Sequence, residues 1–332
     1  MPDVIFYEAF QEEQAAIQAH AAGLFDALYT DKTIQEAGDM VPLAPIISIR
    51  TQSIIPLEWH DAVAVLSRSA GYDHLTAYRH VTGNPGVPCG YLPLYCARAV
   101  AEQALLLWTA LLRRLPQQIA QFDTFHRDGI TGRECLGKTL LVVGVGHIGY
   151  EIAKIGKMLD MQVLGVDLVE RYADIDYIHI DEGLPQADIV VCAMNLTADN
   201  RAYFNYERMI SAKNTAIFVN IARGEMSPPH DLLRLLTENK LSGVGTDVYD
   251  RENEFAVMLR ENRRCDDPDF EAIKALAMRS DTVLTPHNAF NTEEAVERKA
   301  GQSVEQIQHF LREQRFKWMI PGDSSGSQAI VC

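Results

Sequence analysis

Apolar positions in the first part of the chain form short runs that are separated by helix-like spacing. Runs at 4–7, 45–50 and 63–67 predict strands, and Ala, Ile and Leu recur over 12–28 at helical intervals. Strands that alternate with helices favour a parallel sheet, because each crossover helix returns the chain to the same edge. We therefore expect this region to form a small α/β domain.

A second alternation of strands and helices begins at residue 139, after a Gly- and Pro-rich loop at 83–93 and a long helical pattern at 97–115. This order predicts a doubly wound sheet, in which parallel strands are covered by helices on both faces. Its strands are expected at 140–145, 163–167, 189–192, 216–220, 243–247 and 282–285.

The last long pattern, at 292–316, is an amphipathic helix that follows the final strand of this second domain. We expect this helix to return and pack against the first domain, which is then formed from two separate segments of the chain. The sequence thus predicts two doubly wound parallel-sheet α/β domains. One comprises residues 1–96 and 291–332, and the other comprises residues 97–290.

Composition narrows the classes of function. The chain has 332 residues, of which 47% are hydrophobic and 23% charged, which is typical of a globular protein long enough for two domains. A net charge of −15 disfavours nucleic acid and anionic membranes as partners. The six cysteines are scattered, so we expect neither a disulfide framework nor a metal site. The first residues lack a signal-peptide pattern, and we expect a cytoplasmic protein.

The segment L-L-V-V-G-V-G-H-I-G at 140–149 is the strongest single indicator of chemistry. It predicts a buried strand, a glycine-rich turn and a helix, which is the arrangement that binds the pyrophosphate of a dinucleotide. Gly144 permits the tight turn, Gly146 lets backbone N–H groups approach the phosphates, and Gly149 lets the helix pack closely on the strand. The alternative is a purely structural strand–turn–helix unit.

Within this segment, His147 and Ile148 open the predicted helix and are further candidate cofactor contacts, although the His147 side chain could equally be solvated. A second strand pattern, V-L-G-V-D, ends at Asp167. A carboxylate there accepts hydrogen bonds from the adenosine ribose and repels a 2′-phosphate. We therefore expect a Rossmann domain that binds NAD, while Arg171 is the one feature that opposes this preference.

Three chemically active side chains follow predicted strands of the second domain. Arg223 lies in N-I-A-R-G, Glu252 in D-V-Y-D-R-E and His287 in T-P-H-N-A-F. Ligands bind outside the carboxyl ends of parallel strands, so we expect the three to face one cleft. A cation, a carboxylate and an imidazole beside a nicotinamide suit the reduction of a 2-oxo acid. The cation binds the substrate, the imidazole delivers a proton, and the carboxylate orients the imidazole and stabilises its protonated form.

Each of these residues also has a purely structural interpretation. Arg223 could form a surface ion pair, Glu252 could be a solvated loop acid, and His287 could cap a loop. Asp247, at a strand end, could brace that loop. Tyr95 could simply pack near the junction of the two domains.

The motifs together resemble the D-isomer-specific 2-hydroxyacid dehydrogenase family over nearly the whole chain, and within it the D-lactate dehydrogenase branch. The resemblance implies that the Rossmann domain is inserted in a flavodoxin-like substrate domain and that the protein is a homodimer. The segments that carry it are S-R-S-A-G-Y-D-H (67–74), A-V-A-E (99–102), L-G-K-T-L-L-V-V-G-V-G-H-I-G (136–149), N-I-A-R-G-E (220–225), D-V-Y-D-R-E (247–252) and T-P-H-N-A-F (285–290).

The resemblance also implies residue roles. His287 would be the acid/base, Glu252 its partner and Arg223 the substrate anchor. The backbone N–H groups of Ala70 and Gly71 would bind the substrate carboxylate. Further contacts are expected from Tyr95 to the substrate and from Ala222 and Asp247 to the cofactor.

The substrate remains open at this point. A small pyruvate-like 2-oxo acid is favoured, with glyoxylate or hydroxypyruvate reduction as the alternative within enzymes. An NAD-sensing, corepressor-like binding protein is the alternative of another class, and the acidic surface argues against it. One departure from the family is A-M-N at 193–195, where H-V-P is common, so the wall near the adenosine differs.

Overall fold

The computed structural model describes residues 1–60, 63–260 and 266–321. The chain divides into two compact units, residues 1–96 with 291–332 and residues 97–290. All strand pairs in both sheets are parallel, so the predicted α/β fold class is confirmed. Residues 322–332, which the sequence assigned to the first domain, lie outside the described residues.

The first unit is built on a five-stranded sheet with the order β2-β1-β3-β4-β5. All residues of the four strands other than β2 are buried, as expected for parallel strands that are covered on both faces. The strands are β1 (Val4–Phe6), β2 (Ala27–Tyr29), β3 (Ile46–Ile49), β4 (Ala64–Ser67) and β5 (Cys89–Gly90).

The described residues of the first unit form four helices, and the last of them follows the second unit in sequence. They are α1 (Gln11–Ala21), α2 (Ile34–Ala37), α3 (Asp73–Thr82) and α12 (Glu293–Glu313). Helix α12 packs against α1. The prediction of one helix over 12–28 is wrong beyond Ala21. The chain turns at Gly23, where φ is 74°, and then forms the short, partly exposed edge strand β2.

The second unit contains a seven-stranded sheet with the order β12-β11-β10-β9-β6-β7-β8. The strand order reverses beside β6, which is the switch point where ligands of doubly wound sheets bind. All six predicted strands are present, and the two-residue β8 is additional. The strands are β6 (Thr139–Val143), β7 (Gln162–Val166), β8 (Asp176–Tyr177), β9 (Ile189–Cys192), β10 (Ile217–Asn220), β11 (Gly243–Thr246) and β12 (Thr282–Leu284).

The helices of the second unit cover this sheet. Helix α4 ends at Leu112 rather than at 115, because Arg114 adopts a left-handed φ of 51° and Pro116 lies in the first turn of the next helix. No helix in the described parts of the chain is long and apolar enough to cross a membrane. The helices are α4 (Ala97–Leu112), α5 (Leu115–Gln121), α6 (His147–Met158), α7 (Ile180–Gly183), α8 (Tyr206–Met209), α9 (Pro229–Thr237), α10 (Glu252–Arg260) and α11 (Pro268–Ala277).

A buried ion network connects three elements of the first unit. Glu13 on α1, Arg68 after β4 and Lys299 on α12 are all buried. Arg68 Nε donates to Glu13 Oε1 at 2.8 Å, and Lys299 Nζ lies 3.1 Å from the same oxygen. Burial acts to raise the pKa of Glu13, but the charges of Arg68, Lys299 and Arg50 outweigh it and lower that pKa to about 2.

The variant Glu13→Gln tests this network. It leaves two buried cations without their carboxylate, so we expect the free energy of unfolding at pH 7 to fall by about 3–5 kcal/mol. Ionised Glu13 contributes stability above its ordinary pKa of 4.5, and this stability is lost as the pH falls toward about 2. The variant should therefore lose less stability than the wild type over that interval, which urea titrations followed by circular dichroism measure.

Glu305→Gln provides the matched control, because Glu305 forms an exposed ion pair with Lys317 in the same unit. Exposed pairs contribute little to stability. Equal stability of Glu13→Gln and the wild type at pH 7 would contradict the assignment of the network as a stabilising element.

Candidate active site

The loop between β6 and α6 has the geometry of a phosphate cradle. Gly144 has a φ of 93°, and a Cβ built there would lie 2.6 Å from the backbone nitrogen of Met194. A Cβ on Gly149 would lie 2.0 Å from the carbonyl oxygen of Gly144. Gly146 then precedes α6, whose first turn holds His147 and Ile148 and leaves backbone N–H groups for a ligand. The residues present therefore fit a dinucleotide pyrophosphate.

Asp167 follows β7 directly and binds the same loop. Its Oδ2 accepts a hydrogen bond from the backbone N–H of Val145 at 2.6 Å, and its Oδ1 accepts one from Val169 at 3.1 Å. The carboxylate thus lies against the glycine-rich turn and is only partly buried. Burial and the charge of Arg171 lower the pKa of His147, so that its imidazole is held neutral near pH 7.

The turn after β10 fixes the backbone of Arg223. Asn220 is fully buried, and its Oδ1 accepts from the N–H of Ala222 at 3.0 Å while its Nδ2 donates to the carbonyl of Arg223 at 2.9 Å. The guanidinium donates to the carbonyl of Ala222 at 2.8 Å and is partly exposed. Side-chain hydrogen bonds to the turn, rather than the strand itself, therefore set the position of the cation.

Gly224 brings two loops of the second unit into backbone contact. A Cβ at this position would lie 2.0 Å from the carbonyl carbon of Tyr249 and 2.1 Å from the nitrogen of Asp250. No side chain fits there. The turn that carries Arg223 consequently packs directly on the segment that leads to Glu252.

His287 and Glu252 form the central contact of the site. His287 Nδ1 lies 2.8 Å from Oε1 and 2.9 Å from Oε2 of Glu252. An ionised carboxylate only accepts hydrogen bonds, so Nδ1 carries the proton and Nε2 is left to give or take one. The side chains are 28% and 33% exposed, respectively, which leaves them accessible to a ligand. This pair can act as a general acid/base.

Asp247 braces the loop that carries His287. It is fully buried, and it accepts hydrogen bonds from the hydroxyl of Thr285 and from the N–H groups of Asn288 at 3.0 Å and Ala289 at 2.8 Å. These bonds fix the backbone on both sides of His287, whose φ of 51° is unusual for a residue other than glycine.

The sequence predicted no role for two supporting residues, although Tyr249 lies within D-V-Y-D-R-E and Gln103 directly follows A-V-A-E. The hydroxyl of Tyr249 donates to the carbonyl of Thr285 at 2.8 Å, and Gln103 Nε2 donates to the Thr285 hydroxyl at 3.2 Å. Burial and the charges of Asp247 and Glu252 raise the pKa of Tyr249, so its hydroxyl stays a donor. Motif spacing cannot reveal such partners, because they meet only through the tertiary fold.

Three of the predicted site residues belong to the first unit, and the others belong to the second. Ala70 and Gly71 follow β4, where Ser69 Oγ donates to the carbonyl of Gly71 at 2.6 Å. Tyr95 is buried, and its carbonyl accepts from Arg298 Nε at 2.8 Å. The structure therefore places Ala70 and Gly71 at the carboxyl edge of the first sheet.

Comparisons with known proteins agree with this geometry. Residues 105–289 match the sequence model of the family described as D-isomer specific 2-hydroxyacid dehydrogenase, NAD binding domain. The D-lactate dehydrogenase of Leuconostoc mesenteroides subsp. cremoris is 31% identical over 228 residues, which is 67% of this chain and 68% of the relative. The D-specific alpha-keto acid dehydrogenase of Enterococcus faecalis is 27% identical over 293 residues, 86% of this chain and 88% of that protein.

The fold is also similar to a solved structure with bound ligands. The D-lactate dehydrogenase of Aquifex aeolicus, complexed with NAD and lactic acid, has a TM-score of 0.83 and 25% sequence identity. The similarity covers 97% of this chain and all of that chain.

The variant Asp247→Asn separates a bracing role from a cofactor contact. An amide cannot accept hydrogen bonds at both of its ends, so the His287 loop should shift. We expect kcat to fall by about 10- to 100-fold, the scale that follows from misplacing a catalytic group by about 1 Å. Binding of NADH, measured by fluorescence titration, should stay within about twofold if the role is bracing.

Asp188→Asn is the matched control, because Asp188 Oδ2 also accepts a backbone N–H, from Thr139 at 2.9 Å, but at the opposite edge of the sheet. Its kcat should be close to that of the wild type. Weakened NADH binding by Asp247→Asn at unchanged kcat would show that the cofactor contact, not the brace, is its role.

Proposed function

The chain belongs to the D-isomer-specific 2-hydroxyacid dehydrogenase family, and we propose that it interconverts a small, pyruvate-like 2-oxo acid and its D-2-hydroxy acid. It is an NAD-dependent oxidoreductase. The observation that carries the substrate proposal is the His287–Glu252 contact at 2.8 Å, beside the strand ends that also carry Arg223. The D-lactate dehydrogenases among its relatives support a substrate of this size.

The proposed chemistry assigns a role to each side chain. NADH, when bound, supplies the hydride that reaches C2 of the oxo acid. Protonated His287 donates from Nε2 to the developing alkoxide, and in the reverse direction the neutral imidazole takes that proton back. Glu252 stabilises the imidazolium and holds its orientation. Arg223 binds the substrate carboxylate and polarises the carbonyl.

Cofactor binding is assigned to the second unit. The turn from Gly144 to Gly149 would hold the pyrophosphate, and Asp167 would accept from the adenosine ribose hydroxyls, which favours NADH over NADPH. Ala222 is a further proposed cofactor contact. For Asp247, the Asp247→Asn variant distinguishes a cofactor contact from the bracing of the His287 loop. Substrate binding by the first unit is assigned to Ala70, Gly71 and Tyr95, as the family resemblance implies.

The proposal includes a homodimer, as the family resemblance implies, and a location in the cytoplasm. An exposed apolar face supports self-association. No residue of α5 is buried, and Leu115, Ile119 and Phe122 recur at helical intervals and are exposed, Phe122 to 72%. Apolar faces of this kind mark protein–protein contacts. Sedimentation equilibrium of the purified protein measures the assembly.

A substrate panel tests the function directly. Oxidation of NADH is followed by absorbance with pyruvate, glyoxylate, hydroxypyruvate and longer 2-oxo acids, and the product configuration is determined by chiral chromatography. We expect the highest kcat/KM with a small 2-oxo acid and a D-2-hydroxy acid as product. Preference for glyoxylate or hydroxypyruvate would replace the proposed substrate. NADH binding without turnover of any acid would favour the binding-protein alternative.

Arg223→Lys tests the substrate anchor. A lysine keeps the charge but cannot form the planar, bidentate contact of a guanidinium with a carboxylate. We expect KM for the 2-oxo acid to rise about tenfold or more, the scale of one hydrogen bond to a charged group. Arg234→Lys, at an exposed ion pair on α9, is the control and should leave KM unchanged. An unchanged KM in Arg223→Lys would make Arg223 structural.

Two further variants test the acid/base pair. His287→Ala should lower kcat by about 100-fold or more, as the loss of a general acid does, while NADH still binds. Glu252→Gln removes the charge that stabilises the imidazolium, so reduction at neutral pH should slow and the rate profile should move to lower pH. Glu254→Gln, an exposed glutamate two residues away, is the control. A pH profile of Glu252→Gln that coincides with that of the wild type would contradict the pairing.

A further inference from the structure

Five charged side chains gather at the carboxyl ends of three central strands in the first unit. Glu8 follows β1, Arg50 follows β3 and Arg68 follows β4, while Glu13 comes from α1 and Lys299 from α12. Both oxygens of the Glu8 carboxylate accept hydrogen bonds from backbone N–H groups after β3, including that of Arg50 at 3.0 Å. Arg68 and Lys299 both pair with Glu13, and Arg50 interacts electrostatically with Glu13 and with Lys299.

This charged cluster lies behind the segment to which substrate binding is assigned. Arg68 is part of 67–71, and its guanidinium donates to Glu13, to Ser48 and to the carbonyl of Tyr7. The hydroxyls of Ser67 and Ser69 then pair at 2.7 Å beside Gly71. The network thus holds the backbone from which the N–H groups of Ala70 and Gly71 project.

Lys299 also contacts the second substrate element, Tyr95. Its Nζ lies 5.7 Å from the centroid of the Tyr95 ring, and the adjacent Arg298 holds the Tyr95 carbonyl. The side chain of Lys299 is only 3% exposed, so its charge acts through protein rather than through bulk water. One turn of α12 therefore supports both Tyr95 and, through Glu13, the segment 67–71.

A positive charge near the substrate site would offset the negative net charge of the protein. The chain carries a net charge of −15, and a 2-oxo acid is an anion. At long range the acidic protein therefore repels the substrate, and binding of the substrate depends on cations near the site. In a protein interior with an effective dielectric constant of about 20, a single charge still acts strongly at distances where surface charges are screened.

We propose that Lys299 is a positioning residue for the substrate carboxylate: with Glu13 and Arg68 it holds the segment 67–71 and Tyr95, and its charge raises the affinity for an anionic substrate. This inference rests on the proposed function.

The role makes substrate affinity depend on pH. Burial lowers the pKa of Lys299 to about 8, with Glu13 opposing this shift and Arg50 and Arg68 adding to it. Lys299 is therefore charged below pH 8 and neutral above it. Its contribution to affinity is present below pH 8 and is lost as the pH rises through that value.

The experiment compares the wild type with Lys299→Met and Lys299→Arg over pH 6–10, with NADH and pyruvate. Lys299→Met leaves Glu13 paired with Arg68, so the fold should survive, which thermal unfolding checks. We expect KM for pyruvate to rise about tenfold in Lys299→Met at pH 7, as the loss of one nearby charge predicts. The values of kcat and of the NADH dissociation constant should change less than twofold.

Dividing kcat/KM of the wild type by that of Lys299→Met cancels the pH dependence that both enzymes share. This ratio should fall from about ten below pH 8 to about one well above it. Lys299→Arg keeps its charge at every pH, so it should match the wild type below pH 8 and exceed it above. Lys317→Met removes an exposed lysine of the same unit, and its KM should equal that of the wild type.

An unchanged KM for pyruvate in Lys299→Met would overturn the inference. If the wild type still turns over pyruvate, the proposed function stands in that case. An equal rise in KM for pyruvate in Lys317→Met would also overturn the inference, because the rise would then follow from the net charge of the protein and not from the position of Lys299. A pH-independent ratio would reduce Lys299 to a structural residue. A wild type that turns over no 2-oxo acid would instead refute the proposed function, and the inference with it.

Discussion

Parallel strand direction is the constraint on which the candidate site depends. In the second unit every described strand runs the same way, so the loops after β6, β7, β10, β11 and β12 all leave the same edge of the sheet. The glycine-rich turn, Asp167, Arg223, Glu252 and His287 come from five different segments, yet each lies next to such a strand end. An antiparallel sheet would place half of these loops on the opposite edge. The site is thus a consequence of topology before it is a consequence of any side chain.

Within that edge, backbone contacts give the loops their fixed positions. Gly144 lies against the segment after β9, and Gly224 lies against the segment after β11, each closer than any Cβ permits. Asp247 then pins the segment around His287 with three hydrogen bonds from inside the core. Reactive side chains consequently project from a surface whose loops have little freedom to move, which is the preorganisation that acid/base chemistry requires.

The sequence could predict those parts of the structure that depend on local pattern. Continuous apolar runs identified the long strands of the second sheet, and glycine spacing identified the cradle before α6. Short strands such as β2 and β8 were not predicted, because two or three partly exposed residues carry no periodic signal. Motifs identified His287, Glu252 and Arg223 as candidates. They contain Tyr249 and Asn220 but do not reveal their supporting roles, and they give no sign of the buried pairing of Glu13 with Lys299. On a helical pattern a lysine is assigned to the solvent face, and only the tertiary fold shows that this one lies inside.

The return of α12 to the first unit has a consequence for how the chain acquires its structure during synthesis. The second unit is continuous from 97 to 290, so all of its strands are available before α12 leaves the ribosome. The first unit is not continuous. Its helix α1 can pack fully only after α12, its packing partner near the other end of the chain, has been synthesised. We therefore expect the middle of the polypeptide to fold first and the amino-terminal unit to close last, with the nascent α1 face exposed to chaperones until then.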